Sequence, residues 1–178
     1  MAKEDNQILV KDACIIIDLI ELDLLKTFLL MHYDVITTSA VVSEITDETQ
    51  RLYLESCIAK ELIKTEDNGT LMDIMNLKEK YRGLSYADAT VLEVAIRKSS
   101  TLLSADKLLR KAGIKEKSIV HGTLWIIEIL HYNRIITCEI ASEKIKKLIL
   151  INKRMSSELC FSTIRKIEKE ETAYHLNK

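Results

Sequence analysis

The stretch LSYADATVLEVAIRKSSTLLSADKLLRKA, residues 84–112, decides the fold. Ser85 followed three residues later by Asp88 reads as a helix start, and Ala87, Val91, Leu92, Val94 and Ala95 then recur at roughly helical spacing. Residues 101–103 form a short β-leaning run that ends in Ser104, Ala105 and Asp106. Leu108, Leu109 and Ala112 resume a helical period, which Gly113 is expected to end. The segment is therefore helix, strand, helix. Asp88 and Asp106 stand at the beginnings of the two helices, and Asp106 lies just beyond the carboxyl end of a strand, where ligands collect in open α/β sheets.

Upstream, residues 7–10 read as a strand that stops at Lys11 and Asp12, so Asp12 also follows a strand. Cys14, Ile15, Ile16 and Leu19 begin a helix, which Leu22, Leu25, Phe28, Leu29 and Met31 either extend or follow with a second one. Residues 35–38 are rich in β-formers and lead into SAVVSEI, with Ser39 as the expected cap and Glu44 in the first or second turn. A helix over 48–60, a strand over 62–65, a turn at EDNG and a helix from Thr70 to Tyr81 closed by Gly83 complete this half.

Downstream, Ile119 and Val120 suit a fifth strand, and Gly122 opens an apolar helix holding Leu124, Trp125, Ile127 and Leu130. Two amphipathic helices are expected near 139–153 and 156–169. Their charged faces carry Lys144, Lys146, Lys147, Lys153, Arg154, Arg165 and Lys166, either as a solvated surface or as a face for RNA or a partner. Strands alternating with helices in this order imply an α/β fold, with a mostly parallel sheet of about five strands covered on both sides. Right-handed crossovers would bring several strand ends to one rim. The division expected is a main domain over 1–135 and a helical extension over 136–178 packed on it.

Composition limits the functions open to the chain. Its 178 residues are 47% hydrophobic, enough for one domain with a real core. The 26 basic and 27 acidic residues leave a formal charge of -1, so no whole-protein field draws it to nucleic acid or membrane. Aromatics are only 5%, too few for a binder built on stacking platforms. Cys14, Cys57, Cys138 and Cys160 are widely spaced, without zinc-like neighbours, and read as reduced, buried thiols. The polar start MAKEDNQ and the lack of a long apolar run point to a cytoplasmic protein with no membrane partner.

The chemistry rests on Asp12, Glu44, Asp88 and Asp106. Each of them singly could serve a helix N-terminus, a contribution of about 0.3 to 1 kcal/mol. Brought together, they would repel one another and raise their own pKa values, an arrangement that cations make stable. Mg²⁺ or Mn²⁺ favours such oxygen ligands and completes its shell with water and substrate phosphate, which suits phosphodiester hydrolysis without a histidine or cysteine nucleophile. Phosphate-binding glycine loops and the serine-hydrolase elbow are absent. His32, His121, His131 and His175 lack helical ligand spacing, and Trp125 reads as core.

The ordered set ILVKD, SAVVSE, LSYADA and LLSAD resembles the PIN-domain (PilT N-terminus-like) nucleases, VapC-type toxins among them, over about residues 7–130. The run GTLWIIEILHYNRIIT and the two helices after it are similar to the C-terminal part of a group of PIN-like proteins. The resemblance implies a three-layer sandwich with a five-stranded parallel sheet, a Mg²⁺ or Mn²⁺ pocket and endonucleolytic cleavage of RNA. Asp12, Asp88 and Asp106 would be its principal metal-site carboxylates, Glu44 the fourth, and Ser104 an orienting hydroxyl. It also implies a homodimer and, for a toxin, an antitoxin partner. Ala13 and Cys14 depart from the family, which usually has Thr or Ser beside the first aspartate. That departure motivates the alternative, a catalytically inactive PIN-like module that binds a protein. A flap-cutting DNA nuclease lacks the basic arch it needs.

Overall fold

A computed structural model describes residues 8–176. The element order is β1 (Ile8–Lys11), α1 (Ala13–Glu21), α2 (Leu25–Leu29), β2 (Asp34–Thr37), α3 (Ser39–Glu44), α4 (Glu48–Ala59), β3 (Lys64–Thr65), α5 (Leu71–Lys80), α6 (Tyr86–Arg97), β4 (Thr101–Leu103), α7 (Lys107–Lys115), β5 (Val120–His121), α8 (Thr123–Tyr132), α9 (Cys138–Ile151) and α10 (Ser157–Leu176). The chain is a mixed α/β protein, mostly helical, with short parallel strands. Gln7, the expected start of the first strand, lies outside the described residues.

The strands pair in the order β3-β2-β1-β4-β5, every pairing parallel. Connections from β1 run outward to β2 and β3, whereas β4 returns to the other side of β1 and β5 continues that way. The order therefore reverses between β1 and β4, and a crevice is expected beyond their carboxyl ends. Val10 pairs with Ile36 on one side and Leu102 on the other, so β1 is the central strand. Asp12 and Ser104 immediately follow β1 and β4.

Apolar side chains hold this arrangement. Ile15, Ile16, Leu19, Leu54, Leu92 and Leu102 are fully buried in one core that continues through Ile145, Leu148, Cys160, Ile164 and Ile167. The last two helices thus share the core of the sheet. Helix α6 packs on β1 and β4 and against α3, α5 and α7, while α1 packs with α2, α8 and α9. Among the described residues no helix is long and apolar enough to cross a membrane.

One open alternative is decided and two local expectations are corrected. The first two apolar runs are separate helices, broken where Asp23 takes a φ of 55°. Helix α3 is capped by Thr38 and not Ser39: Thr38 accepts the Val41 N–H, while Ser39 N–H and Oγ donate to Asp67 at 2.9 and 2.6 Å. Helix α7 continues through Gly113 to Lys115, because a Cβ at Gly113 would stand 2.6 Å from Leu102 Cδ2 and 3.1 Å from Val120 Cγ2. Close helix-to-sheet approach, not termination, explains that glycine.

Candidate functional site

The end of β1 delivers Asp12 into the crevice. Its extended backbone makes it the N-cap of α1, and its Oδ1 accepts the Ile15 N–H at 3.0 Å. Its own N–H donates to the Leu103 carbonyl at 3.1 Å, which locks the end of β1 to the end of β4. Oδ2 accepts the Ser104 hydroxyl. Ser104 in turn accepts the Asp106 N–H at 3.0 Å, so one buried hydroxyl serves both aspartates.

Asp106 caps α7, its Oδ1 accepting the N–H groups of Leu108 and Leu109 at 2.8 and 2.9 Å. Asp88 completes a capping box on α6: Ser85 Oγ accepts the Asp88 N–H at 2.9 Å, and Asp88 Oδ2 accepts the Ser85 N–H at 3.0 Å. All three aspartates therefore do cap helices. Capping leaves the second oxygen of Asp106 and of Asp88 outside these bonds.

Asp12 feels the charges of two of the other three carboxylates. Asp12 is only 2% exposed, and its pKa is raised to about 7. Burial is the largest cause; the Ser104 and Ile15 hydrogen bonds oppose it, and the charges of Asp88 and Asp106 add to it. The N-termini of α1, α6 and α7 offset part of that repulsion. Glu44 closes α3 as an exposed residue and is not among the charges that act on Asp12. Cys14, two residues after Asp12, has its thiol pushed up to about 12, by burial first and then by Asp12, while Arg154 from the loop before α10 opposes the rise.

Among the described residues no group of three or more His, Cys, Asp or Glu side chains is arranged to hold a metal ion. Carboxylate oxygens are the donor type that a hard divalent cation prefers, and such an ion can be bound through one or two of them with waters completing its shell.

Several residues around the site carry no mark in the local sequence. Thr38 Oγ1 and Thr90 Oγ1 are 2.8 Å apart and buried, joining the end of β2 to α6. Asp18, on α1, accepts from Thr123 Oγ1 at 2.7 Å and from Asn152 Nδ2 at 3.1 Å, fastening α1 to the start of α8 and the end of α9. Arg110 Nη1 donates to the Ser104 carbonyl at 2.8 Å. Lys11 is fully buried; its Nζ has no hydrogen-bond partner among the described residues and lies 4.1 Å from the Phe28 ring centre. Burial holds its pKa well below the ordinary lysine range. Alternation along β1 sends Lys11 and Asp12 to opposite sides, so this lysine does not neutralise the site. All four cysteines are free, Cys57 and Cys160 buried, Cys14 and Cys138 partly exposed.

The sheet is parallel, and Ser104 joins Asp12 and Asp106 where its strand order reverses. A family model described as a PIN domain matches residues 8–169. The chain belongs to the PIN-domain family, and because PIN domains are in general nucleases that use divalent metal ions, a nuclease-type function is supported. The match runs through α9 and into α10. No protein with a curated description matches the chain.

Proposed function

We propose that this chain is a Mg²⁺- or Mn²⁺-dependent endoribonuclease of the PIN type, with the helix groups around α6 and α1 as the outer layers of a three-layer sandwich. The observation that carries it is Asp12: a nearly buried carboxyl at the switch point, raised to about 7 and repelled by Asp88 and Asp106. Such a group favours a cation in place of a proton.

In this reading Asp12, Asp88 and Asp106 hold the ion directly or through water, and Glu44 positions a water from the exposed end of α3. A bound divalent ion supplies charge neutralisation and Lewis acidity toward a phosphodiester. Ile15 N–H and Ser104 fix the Asp12 carboxylate, and Ser104 couples its position to the loop carrying Asp106. Residues 1–135 form the nuclease domain and 136–178 an extension of it. A toxin role, with an antitoxin partner and a homodimeric state, fits the apolar side chains that α5 presents to solvent, Leu71 at 66% and Met72 at 69% exposed. Four free thiols fit a reducing cytoplasm.

The test is cleavage of single-stranded RNA in Mn²⁺ or Mg²⁺. Asp12→Asn and Asp106→Asn, each verified as folded, are expected to lose cleavage by at least a hundredfold, about 2.7 kcal/mol of barrier. Cleavage that survives both changes and EDTA refutes the mechanism. The second reading, a non-catalytic module acting on a protein partner, is favoured by Ala13 and Cys14 after Asp12 and by the lack of a three-donor group among the described residues. A folded protein that neither binds Mn²⁺ nor cleaves RNA would establish it.

A further inference from the structure

Next to the carboxylates lies a groove of about 590 Å³, which begins at Ser104 and Ala105 and runs between α7, α8 and the loop and first turns of α10. That volume is in the ordinary range for a small organic ligand, roughly 300 to 1,000 Å³. Its floor holds an aromatic pair: the His121 and Trp125 rings are parallel within 6°, with centres 4.2 Å apart. Both are half-buried and line the groove, as do Met155 and Leu159.

The charge of this lining is unlike that of the molecule. The whole chain carries -1, yet Lys107, Arg110, Arg154 and Lys166 line the groove with Glu128 as the one carboxylate. Glu128 is taken by Lys166 at 2.7 Å. Arg110 is turned to the Ser104 carbonyl. Lys107 and Arg154 are exposed and make no ion pair among the described residues. An apolar, aromatic floor with exposed cations at its edges, opening directly onto the aspartate-bound Ser104, complements a base attached to a phosphodiester chain.

We infer that this groove is the site for one nucleotide of single-stranded RNA flanking the phosphate to be cleaved beside Asp12 and Asp106, with the base against the His121–Trp125 pair and the adjoining phosphates on Lys107 and Arg154. The C-terminal helices thereby become part of the substrate site. This assignment rests on the ribonuclease reading for the identity of its ligand. Arg154 and Met155 reach the groove only because α9 and α10 return to the core, and the Asp18–Asn152 bonds hold that return in register with α1.

Trp125 is the sole tryptophan of the chain, so its fluorescence reports this groove alone. The full-length protein is titrated in EDTA, which keeps binding apart from cleavage, with an eight-nucleotide single-stranded RNA and with a ribose-phosphate oligomer lacking bases. The RNA is expected to change Trp125 emission saturably, the abasic oligomer to bind more weakly and without that change. Lys107→Ala with Arg154→Ala, both exposed positions, should weaken RNA binding at least tenfold. It should also reduce the slope of log affinity against log salt by about 0.7 for each phosphate left without its cation. RNA that leaves Trp125 emission unchanged, or binds the double variant as tightly as the parent, overturns the assignment; a groove that responds only to a protein ligand does the same. Failure here with cleavage intact leaves the nuclease reading standing, whereas RNA binding in the groove without metal-dependent cleavage removes that reading and keeps this one.

Discussion

The Ser104 hydroxyl donates to the buried Asp12 carboxylate while accepting the backbone N–H of Asp106. One side chain thus joins the ends of β1 and β4 and fixes two of the proposed metal-site residues relative to each other.

Ser104→Ala should therefore act on stability and on chemistry together. The Asp106 N–H loses its acceptor and Asp12 loses a donor, an expected cost of about 1 to 3 kcal/mol measured by urea unfolding. The same hydrogen bond opposes the rise of the Asp12 pKa, so its removal shifts the pH midpoint of metal-dependent cleavage upward. An unchanged midpoint would show that Ser104 only packs.

Asp12 also sets a pH dependence for the metal-free protein. A carboxyl of ordinary value 3.8 that rises to about 7 on folding binds a proton the unfolded chain has already lost between those values. Folding stability consequently falls as pH rises from about 4 to 7 and bears the full penalty above that, on the order of 4 kcal/mol. Asp12→Asn should flatten this slope and exceed the parent in thermal midpoint at pH 8 in EDTA, with the difference shrinking toward pH 4. Parallel curves for the two proteins would contradict the burial and repulsion described at this site.

Much of this site was legible because strand ends and helix starts leave local marks: Asp12 and Asp106 follow β-leaning runs and cap helices, and Ser85 announces Asp88. What was not legible depends on distant partners. Asp18 meets Thr123 and Asn152, residues 105 and 134 positions away, and nothing in the local pattern of α1 marks it. Gly113 looks like a terminator until the approach of Leu102 and Val120 is seen. Thr38 and Ser39 are equally good caps by type, and the choice between them is made by Thr90 and Asp67. Trp125 sits in a helix apolar on nearly every side, so periodicity alone could not show that it lines a groove.

Lys11 yields a prediction of the opposite sign to Asp12. An amine whose pKa is lowered on folding is protonated in the unfolded chain and neutral in the folded one, so stability rises with pH across the interval below its ordinary value of 10.5. Lys11→Met should stabilise the protein at pH 7, on the order of 1 kcal/mol or more, because no buried amine then needs desolvation. The gain should shrink by pH 10. A variant less stable than the parent at pH 7 would mean that Lys11 stays protonated over the Phe28 ring and that this attraction outweighs the cost of burial.

Asp18→Ala should loosen the C-terminal helices. Removing the carboxylate leaves Thr123 and Asn152 without their acceptor, an expected loss of about 1.5 to 3 kcal/mol. Hydrogen exchange should accelerate first in the segment from Asn152 to Ser157, ahead of β1 and β4. Uniform acceleration through the whole chain would place Asp18 in the global core instead of at a hinge of the extension.

The most direct measurement is a calorimetric titration of Mn²⁺ into metal-free protein at pH 7.5, run in parallel on the parent, Asp12→Asn and Asp106→Asn. The expected result is saturable binding to the parent with release of protons, weakened at least tenfold in each variant. Equal heats and equal affinities in all three proteins would mean that Asp12 and Asp106 do not hold a divalent ion, and the proposed reaction would have no site.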